Sequence, residues 1–242
     1  MILAGDIGGT NTRLALFDHS QEMKCIRESK FPSKEFQGLG EIVRQFLGKD
    51  KPSYACFGIA GPVRNERCQA TNLPWVVDAK QLSQELSIGR VHLLNDLEAN
   101  AYGIRALKKD ELLLLQAGDS SQRGNQALIA AGTGLGQAGL YWNGHEHLPF
   151  ASEGGHSDFA PRNELEFELF CFLHKKFPHV SYERVVSGPG LGLIYEFLIE
   201  TGRGQSSALV QEAMKRKSLG SVVSEYGRLG KDETCEKALD WF

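Results

Sequence analysis

The sequence predicts an α/β protein of two domains, and three observations carry that prediction. Short apolar runs of strand type alternate with amphipathic helical stretches along the chain. Two glycine-rich turns, Gly5-Asp6-Ile7-Gly8-Gly9-Thr10-Asn11 and Gly132-Thr133-Gly134-Leu135-Gly136, follow apolar runs in the first and second halves. The length of 242 residues allows one large core or two smaller ones. The charged stretch Lys108 to Glu111 offers the boundary, which divides the chain into 1–108 and 109–242.

The elements follow in order. Ile2 to Ala4 and Leu14 to Phe17 read as strands joined by the first glycine turn, because glycine lets the backbone reverse sharply. A third strand near Met23 to Phe31 completes a meander, and a helix over Phe36 to Leu47 follows. Tyr54 to Ala60 reads as a buried strand ending at Gly61-Pro62. Asp78 caps a helix with Gln81 in the capping-box position and Leu82 and Leu86 inward. Val91 to Leu94 is a strand that ends at Asn95-Asp96, where a helix over Leu97 to Leu107 begins. In the second half, strands are expected at Leu112 to Leu115, Ala127 to Ala131 and Gln137 to Trp142. Helices start at Asn163, with Leu165, Leu169, Phe170 and Leu173 buried, and at Ser187, with Leu191, Ile194, Tyr195 and Leu198 buried up to Gly202. Another starts at Ser207 with Val210 and Met214 inward. Thr234 to Phe242 reads as a helix still in progress, with Trp241 and Phe242 exposed and prone to self-association, so the chain looks truncated at its C-terminus.

Composition excludes several classes. Lys and Arg total 27 against 30 Asp and Glu, a net charge of −3, and no basic block suggests a nucleic-acid groove. No apolar stretch approaches the ~20 residues that span a bilayer, the N-terminus lacks the basic region of a signal peptide, and the scattered cysteines make a reducing cytosol the simplest setting, so a cytoplasmic protein is expected. Cysteines at 25, 56, 68, 171 and 235 form no Cys-x-x-Cys pair, which argues against a disulfide framework or a zinc knuckle. His145-Glu146-His147 follows the turn signal Asn143-Gly144 and reads as a solvated hairpin rather than a metal site.

Each chemical motif has an ordinary structural explanation beside a functional one. Asp6 followed by Gly8, Gly9 and Thr10 suits a nucleoside triphosphate, with backbone N–H groups and a hydroxyl on phosphate and Asp6 on Mg²⁺, directly or through water. A plain glycine hairpin explains the same residues. The 132–136 cluster is not the dinucleotide fingerprint, and no Gly-Lys-Ser/Thr of a Walker loop occurs. Two phosphate-type loops in two halves suggest a nucleotide held between domains. Asn95-Asp96 serves a helix N-cap, and a cap position would also hold Asp96 rigidly as a proton acceptor. Glu153-Gly154-Gly155-His156-Ser157-Asp158 offers donors and acceptors to sugar hydroxyls, although a lone histidine is more often structural. By default Glu183 pairs with Arg184 at the surface and Asn72 is a turn residue.

Taken in order, six segments resemble the bacterial glucokinase family. They are Gly5 to Arg13, Thr71-Asn72 with Trp75, Leu94-Asn95-Asp96, Ala131 to Gly136, Glu153 to Phe159, and Glu183 to Gly190. The resemblance implies an actin-like, ribonuclease-H-like ATPase fold with two α/β domains around a cleft. It implies transfer of the γ-phosphoryl of ATP to glucose with Mg²⁺, with Asp96 as the base. Asn72, Asn95, Glu153, His156 and Glu183 match sugar-binding positions. Asp6, Gly8, Gly9, Thr10 and Asn11 match one phosphate loop, and Gly132, Thr133 and Gly134 match the other. A homodimer is implied as well. Members of the family continue past the position of Phe242 with an adenosine-side segment. A kinase for another hexose, a sugar-binding protein without turnover and a chaperone-type ATPase are the competing readings. The Cys-rich zinc motif of the related sugar-kinase and repressor family is missing here.

Overall fold

The computed structural model describes residues 1–20, 23–119, 121 and 123–242. Contacts group these into two compact units, Met1–Gln126 with Gly139–Ala151, and Ala127–Ala138 with Ser152–Phe242. The sequence reading puts its boundary at 108, whereas contact grouping keeps 109–126 with the first unit and returns 139–151 to it.

The first unit is built on strands β1 (Ile2–Ile7), β2 (Asn11–Asp18), β3 (Lys24–Pro32), β4 (Tyr54–Ile59) and β8 (Arg90–Asn95), in the order β3-β2-β1-β4-β8. The meander β1-β2-β3 is antiparallel, while β4 and β8 run parallel to β1. This is the mixed five-stranded sheet of the ribonuclease-H-like fold. Alternation puts Leu14 and Leu16 of β2 inward with Leu3 and Ile7 of β1, each at most 1% exposed. Gly5 lies so close to the Phe57 ring that a Cβ there would meet it at 2.5 Å. Its missing side chain therefore lets Phe57 bury completely, which is worth about 2 kcal/mol. Helices α1 (Leu39–Leu47) and α2 (Ala79–Leu86) pack on each other, with Ile42, Val43, Phe46 and Leu82 in the core. Asp78 caps α2, its carboxylate accepting the Gln81 N–H at 2.9 Å. Helix α3 (Asp96–Gly103) follows β8 without a linker. A small sheet of β5 (Val63–Arg64), β6 (Arg67–Gln69) and β7 (Val76–Asp78) carries the 70–75 turn.

Strands β9 (Gln126–Ala131), β10 (Leu135–Trp142) and β11 (His147–Ser152) form a third sheet, in the order β11-β10-β9. The second unit carries the helices α4 (Glu164–His174), α5 (Gly188–Glu200), α6 (Ala208–Met214), α7 (Leu219–Arg228) and α8 (Glu233–Trp241). Asn163, Ser187, Ser207 and Asp232 cap α4, α5, α6 and α8 through side-chain oxygens. Its core centres on Leu173, Ile194, Phe197, Leu198, Val222 and Val223.

Several expectations need correction. Residues 112–115 form no strand and their leucines are 55–90% exposed, because no neighbouring element covers this stretch among the described residues. Met214, expected inward, is 44% exposed at the end of α6. Helix α1 starts at Leu39 instead of Phe36, since Ser33–Glu35 forms a separate 3₁₀ turn and Gly38 takes the cap position. Phe170 is only partly buried and Phe172 takes its place in the core. Trp241 is half-buried against Phe197, with ring centroids 5.9 Å apart, so it is not the exposed residue expected.

Candidate active site

In the first unit the site residues gather at one edge of the sheet. Register pairs Ile7 with Ile59 and Ile59 with Asn95, so three parallel strands end side by side. Ligands of open α/β sheets bind at this C-terminal edge. Three turns leave it: Gly8-Gly9-Thr10, Ala60-Gly61, and the start of α3. The Gly8 N–H donates to the Asn11 carbonyl at 3.0 Å and closes the first turn. A Cβ on Gly9 would collide with the Asn72 side chain, so the structure brings Asn72 against the glycine turn. Asn72 itself is exposed in a turn closed by the Ala70 N–H on the Trp75 carbonyl at 3.0 Å. Asp6 is exposed on β1 and Thr10 is exposed in the turn.

Asn95 is the N-cap of α3. Its Oδ1 accepts the Leu97 N–H at 3.0 Å and the Glu98 N–H at 3.3 Å, while Nδ2 donates to the Gly61 carbonyl at 3.2 Å. The Nδ2 amide carries two N–H groups, of which the bond to Gly61 uses one. Asp96 is the first helical residue, half-buried, and its Oδ1 accepts the Leu97 N–H at 3.0 Å. The helix N-terminus favours a negative charge there. Capping and positioning therefore fall to neighbouring residues: Asn95 caps, and Asp96 is held beside it. Burial and then the charge of Asp96 push up the Cys68 thiol, and burial followed by Glu98 pushes up Cys56.

Glu98, two residues on, is raised above the usual carboxylate range by burial, against a bond from the Asn95 backbone. A carboxyl with a raised folded pKa destabilises the fold once the unfolded chain ionises, so stability falls as pH rises past about 4.5. Glu98→Gln should therefore raise the melting temperature at pH 7, with the gain vanishing near pH 4. Thermal denaturation of both proteins across that range is the check, and a gain that persists at pH 4 would contradict it.

In the second unit the other residues converge on the 132–136 turn. The Gly132 N–H donates to the Gly134 carbonyl at 2.8 Å, and the Gly188 N–H donates to the Gly132 carbonyl at 2.7 Å. Glu183 does not pair with Arg184 as its default reading had it. Its Oε2 accepts the Leu135 N–H at 2.9 Å, whereas the Arg184 guanidinium lies 4.4 Å over the Phe177 ring. His156 Nδ1 is 3.9 Å from Glu183 Oε1, and its Nε2 is 4.0 Å from Glu153 Oε2. With 59% of its side chain exposed, His156 is not a packed core histidine. Gly155 is buried where a Cβ would strike the Leu135 carbonyl, which explains the glycine beside His156. Ser187 ties the arrangement together: its Oγ donates to the Glu183 carbonyl at 2.7 Å and accepts the Gly190 N–H at 3.1 Å. Thr133 is exposed on the turn. A cavity of about 670 Å³ opens there, lined by Gly132, Thr133, Ser187, Gly188, Gly220 and Ser221 among others. That volume is in the range of small-molecule sites. The residues of α7 that line it gave no signal in the sequence, because glycine and serine at a helix start read as ordinary.

The glycine turn and the aspartate at the C-terminal edge of a ribonuclease-H-like sheet fit the class of actin-like ATPases. Comparison with known proteins makes the assignment specific. A family model described as Glucokinase matches residues 3–242. The glucokinase of Nostoc sp. is 43% identical over 261 residues, covering 100% of this chain and 76% of that protein. The crystal structure of glucokinase from an Antarctic psychrotroph superposes with a TM-score of 0.77 at 31% identity, covering 98% of this chain and 73% of that one. The glucokinase of Balamuthia mandrillaris in complex with glucose gives 0.74 at 25% identity, covering 98% and 71%. The chain belongs to the glucokinase family.

Proposed function

We propose that the protein transfers the γ-phosphoryl of ATP to the 6-hydroxyl of glucose, with Asp96 as general base. The observation that carries this is the placement of Asp96 at the start of α3, on the sheet edge where the Gly8-Gly9 turn and Asn72 meet. The hydroxyl oxygen attacks the γ-phosphorus in line, and its proton goes to the Asp96 carboxylate. The bond to the β–γ bridging oxygen breaks, and ADP leaves with the electron pair. Positioning and electrostatics supply most of the acceleration in such transfers, because the transferring group is loosely bonded at the transition state.

Asn72, Asn95, Asp96, Glu153, His156 and Glu183 are the proposed glucose contacts. Carboxylates accept from sugar hydroxyls, and the Asn95 amide donates to one. Gly8, Gly9, Thr10 and Asn11 are the proposed phosphate contacts in the first unit, with Gly132, Thr133 and Gly134 in the second. The 670 Å³ cavity beside Gly132 is the proposed place of the nucleotide, where Gly188 and Gly220 sit in the first turns of α5 and α7. Asp6 fits Mg²⁺ held chiefly by ATP: it offers one exposed carboxylate, and no group of three acidic, His or Cys ligands forms a cage among the described residues. Magnesium held at Asp6 would supply neutralisation of the charge on the transferring phosphoryl.

The reading includes a cytoplasmic location, expected from cysteines spaced unlike a disulfide framework, and a homodimer, implied by the family resemblance. Among the described residues, no helix is long and apolar enough to cross a membrane. Sedimentation of the purified protein tests the dimer. The test of the function is ADP release with Mg-ATP in the presence and absence of glucose. Release that requires glucose is the expected result. Sugar-independent hydrolysis, or no release with glucose, overturns the assignment.

A further inference from the structure

The first phosphate turn rests on two hydroxyls that none of the motifs includes as functional groups. Ser33 and Thr12 are both fully buried. Ser33 Oγ donates to the Gly8 carbonyl at 2.8 Å. Its one hydroxyl proton is then used, so at the 3.0 Å contact between Thr12 Oγ1 and Ser33 Oγ it is Thr12 that donates. The Ser33 N–H also donates to the Thr10 carbonyl at 3.0 Å. A single residue thus holds two carbonyls of the Gly8-Gly9-Thr10 turn.

Peptide geometry turns this into a statement about donors. The Gly8 carbonyl and the Gly9 N–H belong to one planar trans unit and point in opposite directions. The same holds for the Thr10 carbonyl and the Asn11 N–H. With both carbonyls fixed on Ser33, the Gly9 and Asn11 N–H groups face away from it. A buried hydroxyl pair is costly unless satisfied, and this pair is satisfied by a chain of bonds that ends on the Gly8 carbonyl. The pair is explained by what it orients.

We propose that Ser33 and Thr12 are positioning residues for the nucleotide phosphates, their hydroxyl chain presetting the Gly9 and Asn11 N–H groups to receive phosphate oxygens. The proposal rests on the reading of Gly8 to Asn11 as a phosphate contact. Preset donors need no reorganisation when the phosphate arrives, which is where their value lies.

The experiment uses the full chain with Ser33→Ala, Thr12→Val and Thr12→Ser. Calorimetry measures Mg-ATP and glucose affinity separately, and hydrogen-exchange mass spectrometry follows the segment spanning residues 7–12 in the free protein. Ser33→Ala should weaken Mg-ATP about fivefold to tenfold, the size of one lost hydrogen bond, and speed exchange in that segment. Glucose affinity should stay within twofold of the parent's, by the same scale. Thr12→Val should show the same pattern more weakly, and Thr12→Ser, which keeps the hydroxyl, should match the parent. If the parent binds Mg-ATP and Ser33→Ala binds it equally well, the proposal fails while the phosphate reading stands. If both ligands weaken together as thermal stability falls, the pair serves only the fold and the proposal fails. If the parent binds glucose but no Mg-ATP, the phosphate reading itself is wrong and the proposal falls with it.

Discussion

Asp96→Asn should lower the turnover of glucose phosphorylation by about 10²–10⁴-fold, the usual contribution of a positioned general base. The glucose KM should move little, because an amide still accepts a hydrogen bond from the hydroxyl but cannot take its proton. The fold should survive. The carbonyl of an asparagine can accept the Leu97 N–H as Asp96 Oδ1 does at 3.0 Å, and the cap of α3 belongs to Asn95, which is untouched. Steady-state kinetics with circular dichroism checks all three statements. Normal turnover in this variant would remove Asp96 from the chemistry. An unfolded variant would show that the carboxylate serves the fold first. The Asn95→Ala variant removes a cap worth about 1 kcal/mol together with a proposed glucose contact, so it should raise the glucose KM, which Asp96→Asn should leave nearly unchanged.

Gly220→Ala should be the most damaging single methyl in the second unit. A Cβ at this position would run into the Gly188 carbonyl, a backbone atom that cannot swing aside. Gly192 lies at the same crossing, where a Cβ would meet the Gly220 nitrogen at 3.3 Å. The first turns of α5 and α7 therefore touch through backbone. Overpacking of this kind costs roughly 1–3 kcal/mol, and for a chain of this size that lowers Tm by roughly 3–10 °C. The effect should also reach the nucleotide. Gly188 donates its N–H to the Gly132 carbonyl at 2.7 Å, so a displaced α5 start pulls on the second glycine turn. A raised ATP KM alongside the lower Tm is expected. An unchanged melting curve would mean that the helices separate freely.

Much of the frame was legible because local chemistry and tertiary structure agree there. The meander β1-β2-β3 shows as alternation broken by glycine, and four of the helix starts announce themselves as Asp78, Asn163, Ser187 and Ser207. Each cap lies on the chain next to the donors it serves, so a short window of sequence contains the whole interaction. The leucines at 112–115 failed for the opposite reason. Four apolar residues in a row carry the strand signal, but whether a partner covers them is decided far away in the chain. Met214 failed similarly: periodicity put it inward, and α6 ends before anything packs on it. Helix α7 carried no cap bond to read, since Ser218 makes none to the helix backbone.

The site divides along the same line. Sequence alone determined which residue types are present, in which order, and that the glycine turns, Asn95-Asp96 and the Glu153 to His156 loop belong together as one family's pattern. Only tertiary structure decided that Asn95 caps while Asp96 is held beside it. Only tertiary structure turned Glu183 from Arg184 to the Leu135 N–H, 48 residues away. It also placed Ser33 under Gly8, 25 residues back along the chain. The physical reason is range. Backbone propensity and capping act within a turn or two and are written locally, whereas the partner of a side chain that points out of its own element is chosen by the packing of segments remote in sequence.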